Sequence, residues 1–557
     1  MTGAAAPEAD EATASPEPVD GAVDVIEIDD APPPNEPPGP PRRGAASLPE
    51  RLYPPMPSSG WRGWIGPLLA MVVGGIIRLV DLGRPHGIAF DETYYPKEAI
   101  SYLRHAYEVQ LVDNANDILL ASSGDWRTLP IFKDVAEFVV HPPLGKWTIA
   151  AGEYIFGATP FGWRFAVAVL GTLSILMVGR ITRRLTRSDL IGTLAAFLLA
   201  LEGMHIVLSR TGLLDMTLMF WVVAAFGLLL IDRDRTRRRL AALVQDVGID
   251  ALATEWGPRL GLRPWRWAAA VALGLACSVK WSGLWFLAFF AIMSVVWDVS
   301  ARRAIGVQRP WTATVLRDAP AAAASIIAIA VVVYVFSWTG WMLTDGGWDR
   351  QWAATQPPSF IPAVVRSLWH YHAEAWNFHV GLSSDHAYKS NALSWPFMTR
   401  PTAFYWDSIK DGSKGCPTDN CAAEVLALSN PVIWWAGMVA MIHQLWRWIG
   451  RRDWRSGAVL VGIAAGWLPW LMYLNRTIFT FYVIVYVPFV VMALAMSLGT
   501  IMGPASASES RRRYGVIAVG AFLLLVVAAA WWFYPVWTGE VIPYEQWRLR
   551  MWMPTWT

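Results

Sequence analysis

The sequence predicts an all-α protein that crosses a membrane many times, and three observations predict it. Of 557 residues, 54% are apolar and only 16% charged, too little charge to coat the soluble cores that so long a chain would need. The apolar residues fall in blocks of about 20, the length that spans a bilayer as a helix. Arginines gather between those blocks. A net charge of +2 carries no general affinity for nucleic acid, and three cysteines exclude a disulfide scaffold.

Residues 1–60 differ from the rest. They are rich in Pro, Ala, Glu and Asp, with Ala31-Pro32-Pro33-Pro34 and Pro37-Pro38-Gly39-Pro40-Pro41. Such a segment buries too little apolar surface to offset its ordering entropy, so it is expected to be a disordered cytoplasmic tail. It lacks the basic start and apolar stretch of a cleaved signal, so the first span is expected to act as an uncleaved anchor.

Eleven apolar windows follow, near 61–80, 161–181, 189–208, 211–231, 265–281, 282–298, 319–341, 431–449, 456–474, 479–500 and 514–534. Short cytoplasmic loops collect Lys and Arg. With the N-terminus inside and eleven spans, the clusters at Arg180–Arg187, Arg233–Arg239, Arg302/Arg303, Arg447–Arg455 and Arg511–Arg513 all become cytoplasmic. The chain then divides into a transmembrane module, 61–341, a long outer loop, 342–430, four further spans, 431–534, and an outer tail, 535–557. A second long outer loop, 81–160, lies within the first module. Loops this long are usually functional. Within it, 96–110 carries Ile100, Leu103 and Tyr107 at helical spacing, which fits a helix on the membrane surface or one packed in the loop.

Ionisable residues at the ends of spans are costly there and define candidate sites. In this topology Arg78, Arg164, Glu202, His205, Arg210, Asp215, Lys280 and Arg476 share the outer level. A single Arg or Lys at a helix end is ordinarily snorkelling to the interface. Five cations at one depth fit an anionic head group, because Arg forks onto phosphate and Lys serves as a point charge. Arg78, Arg164, Arg210, Lys280 and Arg476 are thus expected to bind a donor phosphate. Just beyond the first span, Phe90-Asp91-Glu92-Thr93-Tyr94-Tyr95 places two carboxylates where one can take a hydroxyl proton. Later in that loop, His141-Pro142-Pro143-Leu144-Gly145-Lys146 fixes an unusual backbone path between a His and a Lys.

Ile77-Arg78-Leu79 leading to Asp91-Glu92, then the His141–Lys146 motif, Arg210-Thr211-Gly212-Leu213-Leu214-Asp215 and Ser278-Val279-Lys280-Trp281-Ser282-Gly283 together resemble the protein O-mannosyltransferases. That family belongs to the membrane-embedded GT-C glycosyltransferases. The resemblance covers about 61–534 and makes 61–341 the catalytic module. It implies a polyprenyl-phosphate-mannose donor, Ser or Thr hydroxyls of exported proteins as acceptors, and inversion from a β-linked donor to an α-linked product. It implies Asp91 as the catalytic base with Glu92 beside it. His141, Lys146, Asp215 and His372 are assigned to the substrate. Partners would be the lipid-linked donor, exported acceptors and membrane lipids, with contact to the export machinery left open; the site would face outward from the cell membrane. No nucleotide or Gly-rich phosphate loop is needed, no cofactor is assigned, and a divalent cation is left open.

The family's eukaryotic members carry a β-trefoil domain in the second long loop, and at about 90 residues this loop is too short for one. It holds instead Trp369-His370-Tyr371-His372 and Trp376-Asn377-Phe378-His379. These fit an aromatic interface belt or, less well, a metal site from His370, His372, Glu374 and His379, since His370 and His372 point about 200° apart on a helix. Cys416 and Cys421, on the oxidising side, are expected to form a disulfide. Two other functions compete. One is transfer to a lipid or glycan, as in the related aminoarabinose transferases; the other is transport or lipid flipping, which would favour polar groups at mid-membrane and repeated halves.

Overall fold

The computed structural model describes residues 47–410 and 412–557, and most of the expected tail, 1–46, lies outside them. Its last part corrects the expectation of disorder. Leu48–Leu52 forms a short helix, because Leu52 buries against Leu240, Leu252 and Ile305.

Each of the eleven windows falls on helix, but they are not equal. Among the described residues, seven helices are long and apolar enough to cross a membrane: Arg62–Leu79, Pro160–Thr186, Asp215–Val247, Gly283–Ala304, Pro310–Ser337, Trp454–Met472 and Glu509–Thr538. The window 189–208 is a pair, Asp189–Ala200 and Gly203–Ser209, bent by 61°; counted as one span it makes eight. Pro264–Cys277 and Val487–Met502 have 14 and 16 residues. Pro431–Arg451 is longer but carries His443, Gln444 and Arg447. The other windows are thus shorter, bent or more polar than these seven, and length and composition alone do not mark them as spans. Val487–Met502 shows the reason: every residue from Val487 to Leu498 is buried, so its apolarity serves packing inside the bundle.

The loops are not all-helical, which corrects the all-α expectation locally. Val109–Leu111 pairs antiparallel with Phe132–Ala136. Thr402–Lys410, Asn420–Ala427 and Val541–Pro543 form a second antiparallel sheet. Its third strand comes from the C-terminal tail, which joins the second long loop. Trp547 Nε1 donates to the buried Glu424 carboxylate at 2.6 Å, and Trp556 Nε1 to the Met398 carbonyl at 2.7 Å. A disulfide joins Cys416 to Cys421 at the turn of this sheet, as expected. In the first loop, Tyr95–His105 is the packed helix of the two alternatives. Lys97, Glu98, Ile100 and Tyr102 are all buried in it and only Arg104 is exposed, so most of its polar side faces protein.

Candidate functional site

The turn after the first span separates two adjacent carboxylates. Phe90–Thr93 is a 3₁₀ turn in which neighbouring side chains diverge by about 120°. Phe90, at φ 49°, stacks on Phe404 at 5.1 Å and meets Phe479 and Phe481 edge-on. Glu92 turns inward. Its Oε1 accepts from Arg164 Nε at 2.7 Å and Gly212 N at 2.8 Å, and its Oε2 from Arg164 Nη2 at 2.7 Å and Ala89 N at 2.9 Å. Asp91 turns the other way, half-buried, with the Tyr95 hydroxyl 3.3 Å from its Oδ2 and no ion pair among the described residues. Burial pushes its pKa up to about 6, Asp215 adds to that, and Lys280 and the Tyr95 hydrogen bond oppose it.

Lys280 and Asp215 lie close to that carboxylate, and Tyr482 neighbours both it and Arg476. Lys280 Nζ binds Asp215 Oδ2 at 2.7 Å and sits 5.7 Å from the Tyr482 ring. Arg476 donates through Nε to the His379 carbonyl at 3.1 Å and through Nη2 to His379 Nδ1 at 3.2 Å. The His141 and His379 rings are 5.6 Å apart. Burial, then Lys280, hold His141 well below the usual imidazole range; burial, then Arg476, hold His379 at about 4. Both are therefore neutral at pH 7. His141 Nδ1 is buried without a partner among the described residues, a free hydrogen-bonding valence beside the cations.

Of the expected site residues, Asp91, His141, Asp215, Lys280 and Arg476 come together. Six do not. Arg78 spends all five N–H groups on Gly74, Leu199 and Ala200 carbonyls and His205 Nδ1. Arg164 spends its five on Glu92 and the Leu82, Pro85 and Gly87 carbonyls. Neither keeps a donor for a phosphate. Arg210 caps the carbonyls of Arg78, Val80 and Asp81, where the first span ends. Glu92, saturated by four donors, cannot accept a proton without breaking its pair. Lys146 lies fully buried, 2.5 Å from Glu108 and 3.7 Å from Glu98. His372 donates to the Leu368 carbonyl through Nδ1 and accepts the Tyr334 hydroxyl at Nε2, both at 2.7 Å. Nor do the four candidate metal ligands converge: His370 pairs with Asp349, while His379 faces Arg476.

The comparisons with known proteins agree with this framework. The family model for dolichyl-phosphate-mannose-protein mannosyltransferase matches residues 68–244, and that for the C-terminal four-helix region of protein O-mannosyltransferase matches 364–556. The polyprenol-phosphate-mannose–protein mannosyltransferase of Mycobacterium tuberculosis is 38% identical over 507 residues, covering 89% of this chain and 92% of the relative. The chain belongs to the protein mannosyltransferase family. The Corynebacterium glutamicum member is 35% identical over 428 residues, 75% of this chain and 81% of that one. A protein O-mannosyltransferase complex of Saccharomyces cerevisiae, solved with its sugar donor, superposes with a TM-score of 0.66 at 15% identity, covering 92% and 94% of the two chains; at that identity it speaks for the fold alone. This mannosyltransferase is therefore a multi-pass membrane glycosyltransferase of GT-C architecture.

Sequence reasoning missed Tyr482. It faces Asp91, Asp215 and Arg476, yet Phe479-Thr480-Phe481-Tyr482 reads as the start of an apolar window. His379 was visible only as a candidate metal ligand.

Proposed function

We propose that this mannosyltransferase moves mannose from a polyprenyl-phosphate carrier to Ser and Thr hydroxyls of exported proteins, at the outer face of the cell membrane. The observation that carries this reading is Asp91: a half-exposed carboxylate without an ion pair among the described residues, close to Lys280. The acceptor oxygen attacks the sugar's anomeric carbon as the bond from that carbon to the phosphate oxygen breaks. Asp91 takes the hydroxyl proton, and the polyprenyl phosphate leaves as an anion met by Lys280 and Arg476. His141 neighbours Lys280 and Arg476, Tyr482 neighbours Asp91 and Arg476, and the sugar would lie among them. Arginine clusters between spans support the outward orientation. The partners of this reading are the lipid-linked donor and the exported acceptor chain.

The reading is tested with purified protein, radiolabelled polyprenyl-phosphate mannose, and two peptides that differ only in Ser/Thr against Ala. Label should enter the hydroxyl peptide alone and be released by alkaline β-elimination. Label in a lipid or glycan fraction, or in both peptides alike, would overturn it.

The base also sets a pH dependence. A carboxylate with a pKa of about 6 is ionised at pH 7 and loses its charge as pH falls through that value. Transfer kcat/KM should fall about tenfold per pH unit below it. Removing the neighbouring cation disfavours the carboxylate, so Lys280→Met should move this limb to higher pH. The same variant should weaken donor binding roughly ten- to a hundredfold by loss of a charge-assisted contact. A pH limb that stays in place would separate Lys280 from Asp91.

A further inference from the structure

The helix Asp215–Val247 begins at the candidate site and ends at a second charged feature. Arg235 follows Asp215 by roughly twenty residues, about 30 Å at the helical rise, which is one hydrocarbon thickness. There two adjoining cavities, of about 560 and 190 Å³, share Arg235 and Arg238 as lining. The acids nearby are already neutralised. Asp232 binds Arg263 at 2.5 Å and Arg266 at 3.5 Å; Asp234 binds Arg184 at 2.9 Å and Arg187 at 2.8 Å. Arg235 and Arg238 are exposed, and among the described residues neither has a hydrogen bond or ion pair.

The far wall is built around a third arginine. Arg239 lies across Gly261, whose φ is +77° and where a Cβ would overlap the guanidinium, with Nη1 3.5 Å from the Leu260 carbonyl. Next to it Leu262 is 80% exposed, and Trp265 lines the smaller cavity. Unpaired guanidinium groups beside an exposed leucine and a tryptophan, at the end of a span, match an amphiphile with an anionic head.

We infer that this groove, at the membrane face opposite the candidate active site, binds a phosphate group, supplied by the head of an anionic phospholipid whose chains lie along Leu262 and Trp265. Arg235 and Arg238 fork onto the phosphate oxygens, and Arg239 closes the wall. The site is independent of the mannosyl-transfer reading.

The test titrates the detergent-purified full chain with phosphatidylglycerol, phosphatidylcholine and inorganic phosphate, and counts bound species by native mass spectrometry. Wild type is compared with Arg235→Gln/Arg238→Gln and with a charge-matched control, Arg512→Gln/Arg513→Gln, at exposed arginines outside the groove. Phosphatidylglycerol should bind wild type and the control alike and the groove variant at least tenfold more weakly. Binding of inorganic phosphate in place of lipid, lost in the same variant, supports the site and makes free phosphate its source. Equal phosphatidylglycerol binding in the groove variant, equal loss in the control, no preference over phosphatidylcholine, or earlier thermal unfolding of the groove variant alone would each overturn the inference.

Discussion

Asp91→Asn should transfer almost no mannose while still binding the donor. The substitution keeps the size of the side chain and its contact with the Tyr95 hydroxyl, and removes only its basicity. Loss of a general base typically costs about 10²–10⁴ in rate, or roughly 3–5 kcal/mol of barrier. Donor affinity should equal or exceed that of wild type, because the exchange removes an anion from beside a phosphate site. That combination separates a chemical role from a structural one: kcat collapses while the donor Kd holds or tightens. Near wild-type turnover at saturating donor and peptide would remove Asp91 from the chemistry.

Glu92→Gln should fail differently. Glu92 and Arg164 are both fully buried, and their two-oxygen pair ties the turn carrying Asp91 to the span Pro160–Thr186. Breaking a buried pair by neutralising one partner typically costs about 3–5 kcal/mol, because the other charge stays buried without compensation. The variant should therefore show a lowered Tm in detergent and poor recovery. Arg164→Met should do the same. Glu92→Gln/Arg164→Met should regain part of the loss, since no uncompensated charge remains. Among molecules that do fold, Glu92→Gln should lose less turnover than Asp91→Asn. A single variant with unchanged thermal unfolding, or a double variant no better than the worse single, would contradict the clamp.

Much of this architecture was legible in the sequence because the bilayer imposes a length and polarity code. All eleven apolar windows became helix, and Asp91, His141, Asp215, Lys280 and Arg476 met at one site. The same code reports depth but not direction. Arg78, Arg164 and Arg210 lie where a phosphate ligand would, yet their guanidinium groups turn to carbonyls and carboxylates inside the protein. No spacing rule separates them from Lys280. Glu92 and Asp91 are likewise indistinguishable as neighbours until a 3₁₀ turn sends one to Arg164 and leaves the other half-buried beside Tyr95. The loop sheets were missed for a topological reason. The strand Val541–Pro543 pairs with Cys421–Ala423, more than a hundred residues earlier, a contact that no local pattern carries. Tyr482 was hidden because an aromatic run at the start of a helix looks the same whether it meets lipid or a buried polar cluster.

The role of Asp91 as a base rather than a nucleophile is tested most directly by the stereochemistry of the product. Retention through a glycosyl-enzyme needs a carboxylate nucleophile and a second acid–base group about 5–5.5 Å from it. Of the neighbouring carboxyls, Glu92 is saturated by four donors and Asp215 is held by Lys280. Asp91 is left to act alone, and a direct displacement inverts the anomeric carbon. The measurement is the anomeric configuration, by NMR, of the mannosyl-threonine peptide that wild type makes from a β-linked polyprenyl-phosphate mannose. An α-linked product is expected; a β-linked one would contradict direct displacement with Asp91 as base.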